Sequence, residues 1–373
     1  MKVEPIFLVD QDSPFAELLF SGLGRVEYFG DSDPTSRPDL LESADVLSVR
    51  SSTRVDSGLL SRCNNLKVIV TPVVGTDHID TNAVAELSAR LGRVIPVFNA
   101  AGSTAEAVAD WTIGAIFKSL EGAPASVGIV GVGNIGRQVA RRLDLLGITY
   151  LTCDPGRMDE PEFRHTPIEE VLGCQVVTFH VPMTRSGQSP WPTAGMISGQ
   201  LCEDARHCGC RLFVNSSRGG IVVPDVFLMA GDRRPALACD VFLDEPAPAP
   251  AAIAACTVAT PHLAGSGRYG RARAAMMVRD KVRAALDLPS QPLDPGLFGL
   301  PGRPEIRGLP GCISTESGMT RFLGEIDILS GTSQSASFRS EYISAAASDR
   351  ARVFTSFRMA GTRTEPLWIG SCN

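Results

Sequence analysis

The stretch that decides the fold of this chain is Val127-Gly128-Ile129-Val130-Gly131-Val132-Gly133-Asn134-Ile135-Gly136. A short apolar run leads into Gly131-x-Gly133-x-x-Gly136, and a helical pattern of apolar residues follows. In such a motif the first glycine turns the chain out of a strand, the second admits a pyrophosphate, and the third lets the helix pack closely. The N–H groups that begin the helix suit a phosphate. The stretch therefore predicts a dinucleotide site, with residues 131 and 133–136 as cofactor contacts.

A carboxylate stands where the ribose of such a cofactor is expected. The next apolar run, Ile148–Cys153, ends at Asp154, about 20 residues beyond the glycines, where an acid binds the two ribose hydroxyls of NAD. An acid in this place, instead of a basic cluster, favours NAD over NADP. Arg157, three residues later, leaves that choice open.

The bulk composition is that of a soluble protein with more than one domain. The chain has 373 residues, of which 44% are hydrophobic and 20% charged, enough material for two or three domains. Its net charge of −6 argues against nucleic acid or an anionic membrane as a partner. The sequence contains no apolar run of membrane-spanning length, and the start does not resemble a signal peptide. We therefore expect a cytoplasmic protein.

The ten cysteines do not predict a disulfide framework. Several lie in apolar runs, as Cys153 and Cys239 do, which is typical of buried reduced thiols in a cytosolic protein. His207, Cys208 and Cys210 are close in sequence. Because no second ligand pair stands at a zinc spacing, we predict no metal site.

The first hundred residues alternate short apolar runs with segments of helix length. Strands are predicted at 6–10, 45–49, 66–70 and 93–97, which indicates a small parallel α/β domain. Since ligands collect at the carboxyl ends of such strands, Arg50, Ser51, Thr53 and the turn from Gly75 to Asp77 are candidate substrate contacts. The alternative is that Ser51 and Thr53 cap the following helix, because capping and anion binding use the same helix N-terminus.

A larger sheet is predicted after residue 120. A helix at 103–120, with Ser103 or Thr104 as N-cap, leads into it. Beyond Asp154, apolar runs at 175–180, 211–215, 236–239 and 257–259 add four strands to the first two. Together they predict a six-stranded doubly wound sheet.

Three polar residues stand just beyond three successive strands of this sheet: Arg218, Glu245 and His262. A guanidinium binds a substrate carboxylate, an imidazole accepts a hydroxyl proton, and a carboxylate orients the imidazole and stabilises its charged form. Taken singly, each residue also suits a structural role, as a surface ion pair, a solvated turn and a helix cap respectively. Their convergence beside a cofactor site favours catalysis.

Four sequence blocks resemble signatures of the D-isomer-specific 2-hydroxyacid dehydrogenase family: Gly131–Gly136, Ser217–Gly220, Asp240–Pro246 and Pro261–Gly265. Further blocks are similar to the members that oxidise 4-phospho-D-erythronate to 2-oxo-3-hydroxy-4-phosphobutanoate, in pyridoxal 5′-phosphate synthesis: Val49–Thr53, Val74–Asp80, Cys153–Pro155 and Trp191–Thr193. Near the end, Phe338–Tyr342 and Arg350–Phe354 resemble the dimerisation domain of those members.

The resemblance implies a fold of three domains and a homodimer. A flavodoxin-like α/β substrate domain would span 1–100 and be completed by a returning helix within 266–287. A Rossmann-type doubly wound NAD-binding domain would span 101–265. A C-terminal α+β dimerisation domain would span 288–373, after a Gly- and Pro-rich linker that reaches Pro310.

The resemblance also implies site residues. Arg218 and Glu245 would be active-site residues, and His262 the proton donor or acceptor. Asp154 would contact NAD, and Ser51 the phosphorylated substrate, with Arg50 the best further candidate for its phosphate. The remaining matching positions are Val181, Ser216, Asp240 and Gly265 for NAD, and Val73, Gly75 and Ser266 for substrate.

Several of these positions depart from the family pattern. Threonines are replaced by Val73 and Val181, a tyrosine by Ser266, and an aspartate by Val223. Three hypotheses therefore stay open: oxidation of 4-phospho-D-erythronate, oxidation of another 2-hydroxy acid such as glycerate or phosphoglycerate, and binding of NAD(H) with little turnover.

Overall fold

The computed structural model describes residues 4–291, 293–299, 305–306, 332–361 and 368–369. The chain forms two compact units, one of residues 1–104 and 269–301, the other of 105–268 and 302–373. A separate C-terminal domain over 288–373 remains a prediction, and most of the predicted linker to Pro310 lies outside the described residues.

The first unit is built on a parallel sheet of five strands. These are β1 (Ile6–Asp10), β2 (Arg25–Phe29), β3 (Val46–Ser48), β4 (Val68–Thr71) and β5 (Val97–Asn99). Their order is β2-β1-β3-β4-β5, and each neighbouring pair is parallel. This is the strand order of flavodoxin-like sheets. The predicted fold class of the first unit is therefore confirmed.

Helices cover both faces of this sheet: α1 (Ala16–Leu19), α2 (Pro38–Ser43), α3 (Ser57–Leu60), α4 (Thr81–Leu91) and α10 (Arg268–Ala285). The late helix α10 packs its apolar side, including Ala275 and Val278, into one cluster with Phe7 and Val9 of β1. Chain from beyond residue 268 thus supplies part of the first unit's core.

Two details of the first sheet differ from the sequence prediction. The strand expected at 93–97 begins only at Val97. Gly92 ends helix α4 in a left-handed conformation, Val94 is exposed, and Pro96 has no N–H to donate to a neighbouring strand. Strand β2 was not predicted at all, because an edge strand that is partly exposed lacks a continuous apolar run.

The second unit contains the predicted six-stranded sheet. Its strands are β6 (Val127–Val130), β7 (Tyr150–Cys153), β8 (Val176–Phe179), β9 (Leu212–Asn215), β10 (Ala236–Cys239) and β11 (Cys256–Ala259). The order is β11-β10-β9-β8-β6-β7, all parallel. Because β6 lies between β7 and β8, the strand order reverses there, and ligands of open α/β sheets bind outside the carboxyl ends of the strands at such a point.

The helices of the second unit are α5 (Ala105–Leu120), α6 (Asn134–Leu146), α7 (Ile168–Val171), α8 (Gly199–His207), α9 (Pro250–Ala254), α11 (Ser335–Ser344) and α12 (Arg350–Gly361). Helix α5 is almost wholly buried and carries Trp111 and Phe117 into the core. The hydroxyl of Tyr342 donates to the carbonyl of Pro248 at 2.7 Å, which docks α11 on this unit. Two short strands, β12 (Glu305–Ile306) and β13 (Trp368–Ile369), pair in parallel.

The cysteines within the described ranges are free thiols, and all of them except Cys208 are buried. Burial raises the pKa of the Cys63 thiol to about 11 and that of Cys210 to about 12. In the same ranges, no group of three or more histidine, cysteine or acidic side chains is placed to hold a metal ion. None of the helices described there is long and apolar enough to cross a membrane.

Candidate active site

The glycine turn after β6 has the geometry that its sequence predicts. Gly131 has a φ of +85°, and a Cβ on Gly136 would lie 2.2 Å from the carbonyl oxygen of Gly131. A Cβ on Gly133 would meet open space. Helix α6 begins directly afterwards, with Gly133 as its N-cap. Since glycine has no side chain to cap the helix, the first N–H groups of α6 remain to bind an anion in that space.

Asp154 lies against this turn. Its Oδ2 accepts a hydrogen bond from the backbone N–H of Val132 at 2.8 Å. The backbone N–H of Asp154 donates to Nδ1 of His165 at 3.2 Å. The carboxylate is therefore held beside the phosphate-binding turn, at the end of β7. A turn with open space at its middle glycine, an uncapped helix and an adjacent acid together fit NAD.

The three predicted catalytic residues follow neighbouring strands of the sheet. Arg218 comes after β9, Glu245 after β10 and His262 after β11, and these strands are adjacent in the order β11-β10-β9. Nδ1 of His262 lies 2.6 Å from Oε2 of Glu245. Oε1 of Glu245 accepts the backbone N–H of Phe242 at 2.8 Å. Both carboxylate oxygens of Glu245 therefore have a hydrogen-bond partner, so Glu245 is not the solvated turn residue of the alternative interpretation.

The contact with Glu245 determines which ring nitrogen of the neutral His262 carries the hydrogen. A carboxylate accepts hydrogen bonds, so Nδ1 of His262 carries the hydrogen between them, and the neutral ring keeps Nε2 as a proton acceptor. The side chain of His262 is 37% exposed, whereas that of Glu245 is 18% exposed. The imidazole is therefore accessible to a small molecule while its carboxylate partner is shielded.

Asp240 builds the turn that carries His262. Its carbonyl accepts the N–H of His262 at 2.7 Å, and its carboxylate accepts the N–H groups of Leu263 at 2.9 Å and Ala264 at 3.0 Å. Burial raises the pKa of the Asp240 carboxyl, while the charge of His262 and the hydrogen bond from Thr260 oppose that rise. Asp240 therefore fixes the backbone of His262, which has a φ of +54°. Its predicted contact with NAD stays a prediction.

The glycine after Arg218 brings two of these turns together. A Cβ on Gly219 would lie 2.0 Å from the carbonyl carbon of Phe242, so no other residue fits at that point. The carbonyl of Arg218 accepts from Nδ2 of Asn215 at 3.0 Å. The close approach at Gly219 and the hydrogen bond from Asn215 were not predicted from the sequence. The Gly219-Gly220 pair after Arg218 was the available signal, because consecutive glycines permit close backbone approach.

Other predicted cofactor contacts lie around the same strand ends. A Cβ on Gly131 would lie 2.9 Å from Cγ1 of Val181, which places that valine against the glycine turn. The hydroxyl of Ser216 is buried, 3.5 Å from that of Thr112. Gly265 follows Ala264 in the turn that Asp240 holds. The hydroxyl of Ser266, a predicted substrate contact, donates to the carbonyl of His262 at 3.4 Å.

Arg50, predicted to bind the substrate phosphate, is paired with two carboxylates of the first unit. Its Nε lies 3.0 Å from Oδ2 of the buried Asp10, and its Nη2 lies 2.9 Å from Oδ2 of Asp12. Nη2 also donates to the hydroxyl of Ser32 at 3.2 Å. The positive charge of Arg50 is therefore already balanced within the unit.

The helix N-terminus expected beside Arg50 is not there. Residues 50–53 form a turn, closed by the N–H of Thr53 on the carbonyl of Arg50 at 3.1 Å. Helix α3 starts only at Ser57 and is capped by Asp56, which accepts from the N–H of Leu59 at 3.1 Å. The alternative that Ser51 and Thr53 cap this helix is therefore wrong. An aspartate immediately before the helix competes better for its first N–H groups.

The remaining substrate candidates line the turn after β4. The carbonyl of Val73 accepts the N–H of Ala100 at 3.0 Å, and the carbonyl of Val74 accepts from Nδ2 of Asn99 at 2.7 Å. Gly75 follows them and is partly exposed, and Ser51 of the neighbouring turn is exposed. Because β3 and β4 are adjacent in the sheet, the two turns lie at the same edge.

Comparison with known proteins places this geometry in a family context. A family model described as D-isomer specific 2-hydroxyacid dehydrogenase, catalytic domain, matches residues 6–336. The NAD⁺-bound 3-phosphoglycerate dehydrogenase of Entamoeba histolytica superposes with a TM-score of 0.59 at 20% identity, covering 76% of this chain and 96% of that chain. At that identity the similarity concerns the fold alone.

Sequence relatives are closer. The erythronate-4-phosphate dehydrogenase of Aeromonas hydrophila is 33% identical over 287 residues, which is 74% of this chain and 73% of the relative. The enzyme of the same name from Salinibacter ruber is 36% identical over 292 residues, covering 75% and 71% respectively. These matches confirm the resemblance that the signature blocks of the sequence indicated.

Proposed function

Because this chain belongs to the D-isomer specific 2-hydroxyacid dehydrogenase family and is an NAD-dependent oxidoreductase of 2-hydroxy acids, we propose that it oxidises 4-phospho-D-erythronate to 2-oxo-3-hydroxy-4-phosphobutanoate. The observation that carries the proposal is the 2.6 Å contact between His262 and Glu245, at the strand ends that also carry the NAD site. The choice of substrate is supported by the relatives named for that reaction.

Three residues of the second unit have separate roles in the proposed reaction. Bound NAD supplies the acceptor for the hydride that leaves C2 of the substrate. His262 accepts the proton of the C2 hydroxyl at Nε2, and Glu245 stabilises the imidazolium that results. Arg218 binds the substrate carboxylate and polarises the developing carbonyl. In the reverse direction His262 returns the proton.

The phosphate of the substrate is assigned to the turn at residues 50–53 of the first unit. Ser51 is exposed there and offers a hydroxyl donor. Arg50 contributes chiefly by holding the turn, since Asp10 and Asp12 already balance its charge. Val73 and Gly75 follow the adjacent strand and would complete the substrate's surroundings with backbone groups.

We further propose a cytoplasmic homodimer. The support is the similarity of Phe338–Tyr342 and Arg350–Phe354 to the dimerisation segments of related enzymes, together with buried reduced thiols. Phe338, Tyr342 and Phe354 are themselves buried in the second unit, which leaves the other faces of α11 and α12 to form an interface.

A second candidate, oxidation of an unphosphorylated 2-hydroxy acid such as glycerate, is favoured by one specific observation. Asp10 and Asp12 add two negative charges around the single positive charge of Arg50, where a phosphate would bring more. The replacement at Val73 also removes a hydroxyl expected to contact substrate, while Ser266 has a shorter side chain than the tyrosine expected there.

The test is a substrate panel with NAD, read as NADH absorbance. The panel contains 4-phospho-D-erythronate, D-erythronate, D-glycerate and 3-phospho-D-glycerate, with His262→Ala as the inactive control. The proposal expects the highest kcat/KM for 4-phospho-D-erythronate. Preference for D-glycerate would establish the second candidate. Tight NADH binding without turnover of any acid would indicate a binding protein.

A further inference from the structure

The cofactor site contains an arginine that the proposed reaction does not use. Arg157 follows Asp154 by three residues, and its Nη1 donates to the carbonyl of Val132 at 2.8 Å. The N–H of the same Val132 donates to Oδ2 of Asp154 at 2.8 Å. A carboxylate and a guanidinium thus bind the two backbone groups of one residue in the phosphate-binding turn. Both charges therefore lie at the predicted ribose position.

Glu160 holds this guanidinium in place. Nε of Arg157 lies 3.0 Å from each oxygen of Glu160, and Nη2 lies 2.5 Å from Oε2. Cζ of Arg157 also lies 4.3 Å from the ring centroid of Phe163, so the guanidinium contacts both an acid and an aromatic ring. The hydrogen bond to Arg157 lowers the pKa of the Glu160 carboxyl, and the charge of Arg137 adds to that effect. The pair is therefore charged on both sides at neutral pH.

This arrangement bears on the choice between the two nicotinamide cofactors. NADP differs from NAD by a phosphate on the 2′ oxygen of the ribose that Asp154 is placed to bind. A guanidinium binds such a phosphate through its planar fork of N–H donors. In Arg157 the Nε and Nη2 side of that fork is occupied by Glu160, and Nη1 is bonded to Val132.

We propose that Glu160 is a specificity-determining residue for the cofactor, which excludes NADP by keeping the guanidinium of Arg157 from its 2′-phosphate. Asp154 repels that phosphate directly, and Glu160 removes the cation that would otherwise compensate. The charge of Arg137, which donates to the carbonyl of Gly133, is the same in every variant below and does not enter the comparison. The inference concerns the cofactor alone and does not depend on which hydroxy acid is oxidised.

The test compares binding of NADH and NADPH by fluorescence titration of the full chain, without substrate. Glu160→Gln keeps the shape of the side chain and removes its charge. We expect it to tighten NADPH binding about tenfold, the effect of one charge-assisted hydrogen bond, and to leave the Kd for NADH within about twofold. Glu162→Gln, which neutralises an exposed acid two residues further on, is the matched control and should change neither Kd.

A double variant assigns the effect to Arg157. With Arg157→Ala added to Glu160→Gln, the gain in NADPH affinity should disappear. The proposal is overturned if Glu160→Gln leaves the ratio of the two Kd values unchanged, or if the gain persists without Arg157. Because binding is the readout, a failure to oxidise 4-phospho-D-erythronate would reject the proposed function and leave this result standing.

Discussion

Nδ1 of His262 lies 2.6 Å from Oε2 of Glu245, although the two residues are 17 positions apart and follow different strands. The contact arises because β10 and β11 are parallel neighbours, so the residues after their carboxyl ends meet at one edge of the sheet. It turns a histidine and a glutamate into an acid–base pair with a defined tautomer.

The first prediction concerns catalysis by the pair of His262 and Glu245. Oxidation needs a base for the proton of the C2 hydroxyl, and Glu245 orients His262 and stabilises the imidazolium that forms. His262→Ala should lower kcat roughly 10²- to 10⁴-fold. Glu245→Gln keeps the shape of the side chain and removes its charge, so it should lower kcat by a smaller factor. Asp244→Asn, an exposed neighbour, is the control, and steady-state kinetics gives the comparison. An unchanged kcat in Glu245→Gln would mean that the pair does not act in catalysis.

The second prediction concerns Asp154. Its carboxylate should favour the ribose hydroxyls of NAD and repel a 2′-phosphate, so the unmodified protein should bind NADH more tightly than NADPH. Asp154→Ala should weaken NADH binding and narrow the difference, because both the hydrogen bonds and the repulsion are lost. Equal Kd values for the two cofactors in the unmodified protein would contradict this assignment.

The third prediction concerns Arg50 as a stabilising residue. Arg50→Ala leaves the buried carboxylate of Asp10 without the cation that balances it. Since Arg50 is itself 27% exposed, we expect a loss of about 2 kcal/mol in the free energy of unfolding, below the cost of breaking a fully buried pair. Arg54→Ala, whose side chain is 86% exposed, should cost less than about 0.5 kcal/mol. Urea denaturation measures both, and adding Asp10→Asn should recover part of the loss.

The fourth prediction separates the two substrate classes at Ser51. If its hydroxyl binds the phosphate, Ser51→Ala should raise KM for 4-phospho-D-erythronate about tenfold, as expected for one hydrogen bond to a charged group. KM for D-erythronate should stay the same, and so should kcat for both acids. Steady-state kinetics with the two substrates gives the comparison. An equal rise in both KM values would place the phosphate elsewhere.

The fifth prediction concerns stability against acid. His180 follows β8, and burial lowers the pKa of its imidazole from 6.5 to about 3. The folded protein therefore keeps His180 neutral, whereas the unfolded chain binds a proton below pH 6.5. Stability from this residue is complete above pH 6.5 and is lost as the pH falls toward 3.

A variant isolates this contribution. His180→Gln has no group that titrates in this range, and it retains an amide that can bond to the hydroxyl of Thr178, now 3.0 Å from Nε2. Between pH 7.5 and 5.5 the unmodified protein should lose about 1.4 kcal/mol more stability than the variant. Subtracting the stability change of the variant from that of the unmodified protein removes the contributions of the other titrating groups, because both proteins contain them. Parallel pH dependence of the two unfolding free energies would show that His180 becomes protonated in the folded state.

Local sequence signals were enough for much of the second unit. The predicted strand 236–239 matches β10 at both ends. The predicted strands 148–153, 175–180 and 211–215 contain β7, β8 and β9, and the predicted strand 257–259 lacks only the first residue of β11. Strands of a parallel sheet that are buried on both faces are short continuous apolar runs bounded by glycines and polar residues, so their length and flanking residues identify them. The contact of Glu245 with His262 could be predicted from the order of the strands and the rule for their carboxyl ends, whereas the role of Arg218 stays a prediction.

Charge pairing in the first unit depended on tertiary structure. The sequence predicts phosphate binding by Arg50 because a basic side chain follows a strand end there, beside an expected helix N-terminus, and no cue in the local sequence names its carboxylate partners. Asp10 and Asp12 are about forty residues away and reach Arg50 only because β1 lies beside β3 in the sheet. Likewise, Asp56 caps α3, because residues 50–53 form a turn and the helix begins only at Ser57.

The sequence by itself therefore determined the elements and their chemistry: the glycine turn, the acid at Asp154, and the polar residues that follow each strand. Those features depend on contacts between near neighbours in the chain or on the invariant geometry of parallel strands. Only the tertiary structure decided which charges are balanced and which are available. Arg50 is balanced by Asp10 and Asp12, because the net field at a side chain is set by every charge brought near it through space, at any distance along the chain.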